Sequence, residues 1–348
     1  MKKNLGLVGA AAAFLLVLTG CTDSGSGGGS TPEPAPSTSS SAEPTQEAPQ
    51  IEEFTVNVAA LPIAETGAIW AGIEEGIFEK HGLTLNIIPA AGGAQAVPSL
   101  LSGDIDFAIG SPVSAIKASL AGEPVRIIGD YADGNPIGEV DPNSVVAGAN
   151  TGVTRWADLS GKKVGTNSPG AHGNLAILEA VRLDGGDPTT VEFVIVQDGF
   201  PAMPALVESG ELDAAWVPDP FRGMIVGAGG VELGYPWQAG GLEEISGLSN
   251  LTIQKVIDEN PQMVEQWLAA IEEVAEFANA NKDKVYEAIA ENLNIPIEGA
   301  KATVLATFNA HTRLDRLQAL IDAGIRYGSA PPFLFWDASP DLDVLVVG

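Results

Sequence analysis

Cysteine is all but missing: Cys21 is the only one in 348 residues. An intrachain disulfide therefore cannot form, and stability has to come from the core. Basic residues are also scarce, with 17 Lys plus Arg against 45 Asp plus Glu and a net charge of −28 at pH 7. Nucleic-acid binding rests on basic contacts with phosphates, so this balance argues against such a partner. It argues equally against lying flat on an anionic membrane, whereas a solvated acidic surface that maintains solubility accounts for it directly. The histidines His81, His172 and His311 stand far apart in the chain, which gives little support to a metal or nucleophile constellation, and no cofactor is expected. After residue 20 no apolar run reaches the length of a membrane helix.

What is present begins with Lys2 and Lys3 and the apolar run LGLVGAAAAFLLVLTG. This is the layout of a signal peptide, over residues 1–20. It ends in Leu18-Thr19-Gly20-Cys21, which resembles the bacterial lipobox, in which the cysteine becomes the lipid-bearing N-terminus. Residues 21–51 are rich in Ser, Gly, Pro and Glu and have no apolar periodicity, so they form a tether rather than a fold. A flexible chain of roughly 30 residues spans about 30 Å, enough for an anchored domain to clear the lipid head groups.

The organising stretch is Gly67 to Pro112, which reads as an αβαβ unit. Ile69, Ile73, Ile77 and Phe78 predict a helix over 68–80 that His81-Gly82 ends. A strand follows over 83–88, then a Gly92-Gly93 turn, a helix over 94–102 and a strand over 105–109. The closing phrase Ser102-Gly103-Asp104-Ile105-Asp106-Phe107-Ala108 is echoed by Ser209-Gly210-Glu211-Leu212-Asp213-Ala214-Ala215. At the same offset Gly92 falls on Gly199. Turn, cap, strand and breaker in one order, twice, predict two similar αβ lobes.

Around these units, 54–61 is a first strand, with Thr66 placed to cap the following helix. A helix over 113–120 and a strand over 125–129 follow. Asp130 to Asn135 reads as a solvated acidic loop without calcium-loop spacing, and 143–153 as an extended connection. Strand 161–166 leads into Asn167-Ser168-Pro169-Gly170-Ala171-His172-Gly173-Asn174. This loop lacks the Gly-Lys-Ser/Thr ending of a nucleotide site, but amides at the start of a helix can receive an anionic or polar group. Strand 191–199, helix 201–209 and strand 213–217 complete the second unit, with 231–233 as a late strand. Beyond Pro261 the chain is mostly helical, and Val264, Trp267, Leu268, Ile271, Val274 and Ala278 share one face.

Three phrases carry a family likeness: Glu75-Gly76-Ile77-Phe78 with Gly82-Leu83, Gly122-Glu123-Pro124-Val125, and Asp158-Leu159 with Gly161-Lys162 and Val164. With the unit 67–112, they make 54–226, and more loosely the helical tail, resemble the substrate-binding proteins of ABC importers. The closest group is the nitrate, sulfonate and taurine binding family with its thiamine-pyrimidine relatives. The resemblance implies an α/β, type II periplasmic-binding-protein fold: two doubly wound αβ lobes around a ligand cleft, with a helical C-terminal part. Lobe I is expected over 52–145 and 241–348, and lobe II over 146–240. It also implies a monomer, anchored through Cys21 on the extracytoplasmic face of the membrane, that serves an ABC permease and its ATPase without any catalytic step.

Ligands of open α/β sheets sit beyond the carboxyl ends of the strands. That rule selects Pro62, Glu65, Thr66, Trp70, Gly93, Gln95, Ser111, Tyr131, Ser168, His172, Asp198, Trp216 and Asp219 as the candidate cleft wall. Helix N-termini and the resemblance favour a sulfonate-, taurine- or nitrate-like anion. The acids Glu65, Asp198 and Asp219 depart from an anion site. Together with Trp70, Tyr131 and Trp216 they would suit an aminopyrimidine or another nitrogen heterocycle. Pyrimidine synthases of this fold use cysteine-rich and histidine chemistry, which a chain without cysteine after Cys21 does not supply. A receptor that signals through a partner is the remaining alternative class.

Overall fold

Alternation in FTVNVAA places Val56 and Val58 in the core and makes β1 (Phe54–Ala60) the scaffold of the first sheet. The computed structural model describes residues 51–329 and 335–347. The expected signal peptide, the expected lipobox with Cys21 and nearly all of the expected tether lie outside the described residues. β2 (Leu83–Pro89), β3 (Phe107–Gly110) and β4 (Val125–Asp133) follow β1. The chain then builds β5 (Asn143–Ala147), β6 (Lys163–Thr166), β7 (Glu192–Ile195), β8 (Ala214–Pro218) and β9 (Val231–Gly234). It returns with β10 (Ser246–Ile253) and β11 (Thr307–Phe308).

Among the described residues these strands form two sheets, ordered β11-β4-β10-β3-β1-β2 and β7-β6-β8-β5-β9. β1 runs parallel to β2 and β3, whereas β10 enters antiparallel between β3 and β4. The second sheet likewise mixes parallel β6–β7 and β6–β8 pairs with antiparallel β5–β8 and β5–β9 pairs. It starts at Asn143, ahead of the expected boundary at 146.

The internal repeat is physical. Gly103 and Gly210 end their helices at φ 81° and 79°, in the left-handed region that glycine enters without a Cβ penalty. Asp106 then accepts from the Asn57 amide at 2.8 Å, and Asp213 from the Lys163 amide at 2.9 Å. Each aspartate thus clips the start of its strand to the neighbouring parallel strand. This shared clip explains why the same phrase occurs in both lobes.

Several local expectations are corrected. Gly76 divides the helix expected over 68–80 into Gly67–Glu74 and Ile77–Lys80. Thr66 does not cap; its hydroxyl donates to the Leu61 carbonyl at 2.5 Å. Asp130 to Asn135 is not a solvated loop, because β4 runs on to Asp133 and all six residues are buried. Their charge is compensated from the C-terminal region: the Arg313 amide donates to Asp130 at 3.1 Å, and its guanidinium pairs with Asp133 at 3.0 Å. The extended connection over 143–153 begins as β5, an inner strand between β8 and β9.

The tail binds both halves together. Trp267, on the helix Pro261–Ala280, is fully buried and stacks on Phe107 at 4.6 Å and on Phe78 at 5.8 Å. The helix Leu314–Tyr327 reaches the second lobe through Arg326, 2.8 Å from Glu179. Val346 then forms a parallel bridge to Ile127 of β4 in the first sheet.

Candidate functional site

Between the two sheets lies a cavity of about 540 Å³. Three helices begin at its wall: Gly93–Ser102, Pro112–Leu120 and His172–Leu183. Each follows a glycine turn or strand end, so each brings its N-terminal end, the positive end of its dipole, to the wall. Ser111 caps the second of these helices, its oxygen accepting from the Val113 amide at 3.3 Å. Gly93 has to be glycine, since a Cβ there would come 1.8 Å from the Ser114 hydroxyl.

The lobes touch across this space. Ser111 Oγ and His172 Nδ1 are paired at 2.5 Å, and Asn167 Nδ2 donates to the Ala91 carbonyl at 2.9 Å. Lys117 Nζ donates to the carbonyls of Pro169 and Gly170 at 2.9 and 3.0 Å. Asn143 Nδ2 donates to Glu65 Oε1 at 2.9 Å.

Electrostatics sort these groups. Burial holds the His172 imidazole down to about 3, so it is neutral and a weak base. The Ser111–His172 pair therefore acts as a tie between lobes rather than an activated nucleophile. The ring stacks on Trp237 at 4.7 Å and meets Trp216 edge-on at 4.9 Å. Burial pushes Glu65 up to about 8, protonated at neutral pH, and Asp133 up to about 6. Burial also lowers Lys117 to about 8. Glu65 Oε2, Asp133 Oδ1 and Trp216 Nε1 are buried and have no hydrogen-bond partner among the described residues. All three residues line the cavity.

Of the residues expected from sequence, Glu65, Gly93, Ser111, Ser168, His172 and Trp216 meet at this cavity. Pro62 and Asp198 lie at a separate pocket of about 130 Å³ beside Gly199. Thr66, Trp70, Gln95, Tyr131 and Asp219 do not line the main cavity. Trp70 packs in the core, and Tyr131 donates its hydroxyl to the Glu65 carbonyl at 2.7 Å. Gln95 accepts from the Ala91 amide at 2.7 Å, and Asp219 accepts from the Val304 amide at 2.9 Å. Each is taken up by core packing or by a backbone partner that a loop-tip rule cannot see. Sequence reasoning missed Lys117, Asp133, Asn143 and Trp237, which also line the cavity. Lys117 sits mid-helix and Trp237 follows a proline in an unassigned stretch, so neither carried a signal. Asp133 was noticed, but as part of a solvated loop.

Gly173 sets the Trp216 ring in place, since a Cβ there would come 2.3 Å from the indole. Gly173→Ala is expected to cost about 1–3 kcal/mol in urea unfolding through overpacking and to change the tryptophan fluorescence of the folded state. An unchanged midpoint and spectrum would remove Gly173 from the determinants of the wall.

Two mixed sheets facing each other across a cavity lined from both define the class, a periplasmic-binding-protein α/β fold. The family model described as NMT1/THI5 like matches residues 64–285, more than half of the chain, and the chain belongs to that family. A protein of Brucella abortus strain 2308, named for binding but for no ligand, is 29% identical over 234 residues. That match covers 64% of this chain and spans 66% of the relative's length. The fold is similar to that of the alkanesulfonate-binding protein SsuA from Xanthomonas axonopodis pv. citri, solved with MOPS. The TM-score is 0.70 at 13% identity, over 85% of this chain and 99% of that one. The periplasmic nitrate-binding protein NrtA from Synechocystis PCC 6803 gives 0.67 at 17% identity, over 85% and 86%. At these identities the likeness establishes the fold. No helix among the described residues is long and apolar enough to cross a membrane.

Proposed function

We propose that this chain is the extracytoplasmic solute-binding lipoprotein of an ABC importer, held to the membrane through Cys21 and its tether. The observation that carries the reading is a cavity walled by both lobes, whose rim is tied by hydrogen bonds from one lobe to the other. A solute in that space touches both halves and stabilises the closed form by its differential affinity, and the closed form docks on a permease and its ATPase. No bond in the solute is made or broken.

The three helix N-termini support a small organic or inorganic anion, sulfonate-, taurine- or nitrate-like. A second reading, an aminopyrimidine-like heterocycle, is favoured by the wall itself. Phe200, Trp216 and Trp237 line the cavity with Glu65, and no arginine lines it among the described residues.

The test is thermal unfolding of residues 51–348 with alkanesulfonates, taurine, nitrate, aromatic carboxylates and aminopyrimidines. A ligand at 100 times its Kd adds about 2.7 kcal/mol, a readable rise in Tm. Stabilisation by sulfonate or nitrate supports the anion cradle, and stabilisation by aminopyrimidines alone supports the aromatic wall. A flat response across the panel counts against solute capture.

A further inference from the structure

We propose that the Glu65 carboxylate is a cation subsite, holding an ammonium or protonated ring nitrogen of the solute. The assignment deepens the solute-binding reading above and rests on it. Glu65 lies in the short turn Ala64–Thr66 just beyond β1 and is 3% exposed. Its backbone carbonyl is fixed by Tyr131 at 2.7 Å, and Oε1 by Asn143 Nδ2 at 2.9 Å. Oε2 is left buried, unpartnered among the described residues, at the wall of the cavity. A carboxyl oxygen withdrawn from water normally has a partner; none of the described residues supplies one, and the cavity that Glu65 lines is where a solute could.

The neighbours decide the sign of that partner. Asp141 and Asp219 both act on Glu65 as like charges. Asp141 is spent on the amides of Asn135 and Asn143, at 3.0 Å each. Asp219 is spent on the Val304 amide and on Arg222, which also reaches Glu232. Lys117 is committed to the Pro169 and Gly170 carbonyls. The field at Oε2 is therefore negative, and a positive group on the solute is its electrostatic complement.

Proton balance follows from the same burial. With Glu65 pushed up to about 8, the carboxyl is protonated at pH 7 before the solute arrives. An ammonium displaces that proton to solvent and leaves a carboxylate–ammonium pair. Asp141, Asp219 and Arg222 keep their existing partners, and Tyr131, raised by burial, stays neutral. Affinity for a cationic solute accordingly rises with pH up to the Glu65 pKa and then levels.

Calorimetry of the full chain in mild detergent would use two pairs matched except at nitrogen: taurine with isethionate, and benzylamine with benzyl alcohol. The amine of at least one pair should bind at least about tenfold tighter than its hydroxyl partner and release about one proton, read from buffers of different ionisation heat. Glu65→Gln should lose both the preference and the proton release. If the variant does not fold, proton release by the unmodified chain decides the matter. Equal binding within both pairs, or a preference that survives Glu65→Gln, overturns the Glu65 assignment and leaves solute capture standing. A cleft that takes none of the four overturns the assignment, and only a flat response to the wider panel removes the solute-binding reading with it.

Discussion

Replacing Trp267 by alanine should destabilise the domain by about 3–5 kcal/mol, read as a lower urea midpoint at an unchanged slope. The indole is fully buried, and its ring lies nearly parallel to Phe107, at 8° and 4.6 Å. Truncation therefore leaves a cavity that two other aromatic rings line and cannot fill. It also removes a polar partner, because Nε1 donates to Asn250 Oδ1 at 3.1 Å in the middle of β10. Trp267→Phe helps to separate the two effects: it keeps a six-membered ring for stacking and loses the hydrogen bond with the rest of the indole, so its cost should be smaller, about 1–3 kcal/mol. Equal costs for both variants would make the hydrogen bond dominant, and a loss below about 1 kcal/mol for alanine would show that the helix Pro261–Ala280 does not anchor the sheet.

The second large effect concerns pH. Glu65 is buried and pushed from 4.5 up to about 8. In the unfolded chain it ionises near 4.5, whereas in the folded domain it stays protonated. Its contribution to stability is complete below about pH 4.5 and declines as pH rises, until both states are ionised above the folded value near 8. Glu65→Gln has no proton to lose. Relative to the unmodified chain it should gain about 3–4 kcal/mol between pH 4.5 and 8.5. The measurement is urea unfolding of both proteins at a series of pH values. Asp133 and Asp141, each raised to about 6, titrate in both proteins and cancel in the difference. A constant difference across that range would refute the burial of a neutral Glu65. A variant more stable than the natural chain, yet unable to tell an amine from an alcohol, is the usual trade of stability against function at a site.

Much of the framework was legible because it is local. Strand, glycine stop and helix follow one another over 67–112 and again over 191–217, and the duplicated Ser-Gly-acid phrase marks the two strand clips at Asp106 and Asp213. β10 was invisible for a physical reason. Ser249, Asn250 and Thr252 are fully buried in an inner strand, and each depends on a distant partner: Asp130, Trp267 or Asp106. No pattern rule assigns SGLSNLTI to the middle of a sheet. β5 hid similarly, because its pairing partners β8 and β9 lie far along the chain. At the site, residues at helix starts and strand ends, such as Ser111 and His172, were found by position. Lys117, Asn143 and Trp237 depend on how the lobes face each other, and that arrangement is not written in any short stretch.

The late return of β10 also sets an order of events as the chain emerges N-terminus first. Every strand of the second sheet lies between Asn143 and Gly234, so that lobe can complete itself as one continuous piece. The first sheet cannot: β3 and β4 are made early but are joined only through β10, at 246–253. Until then the wholly apolar FAIG of β3 has one open edge, the kind of surface that pairs with the wrong neighbour. The half of the molecule that is synthesised first is thus the half that finishes last, and its interval of exposure is the time taken to deliver the whole of the other lobe.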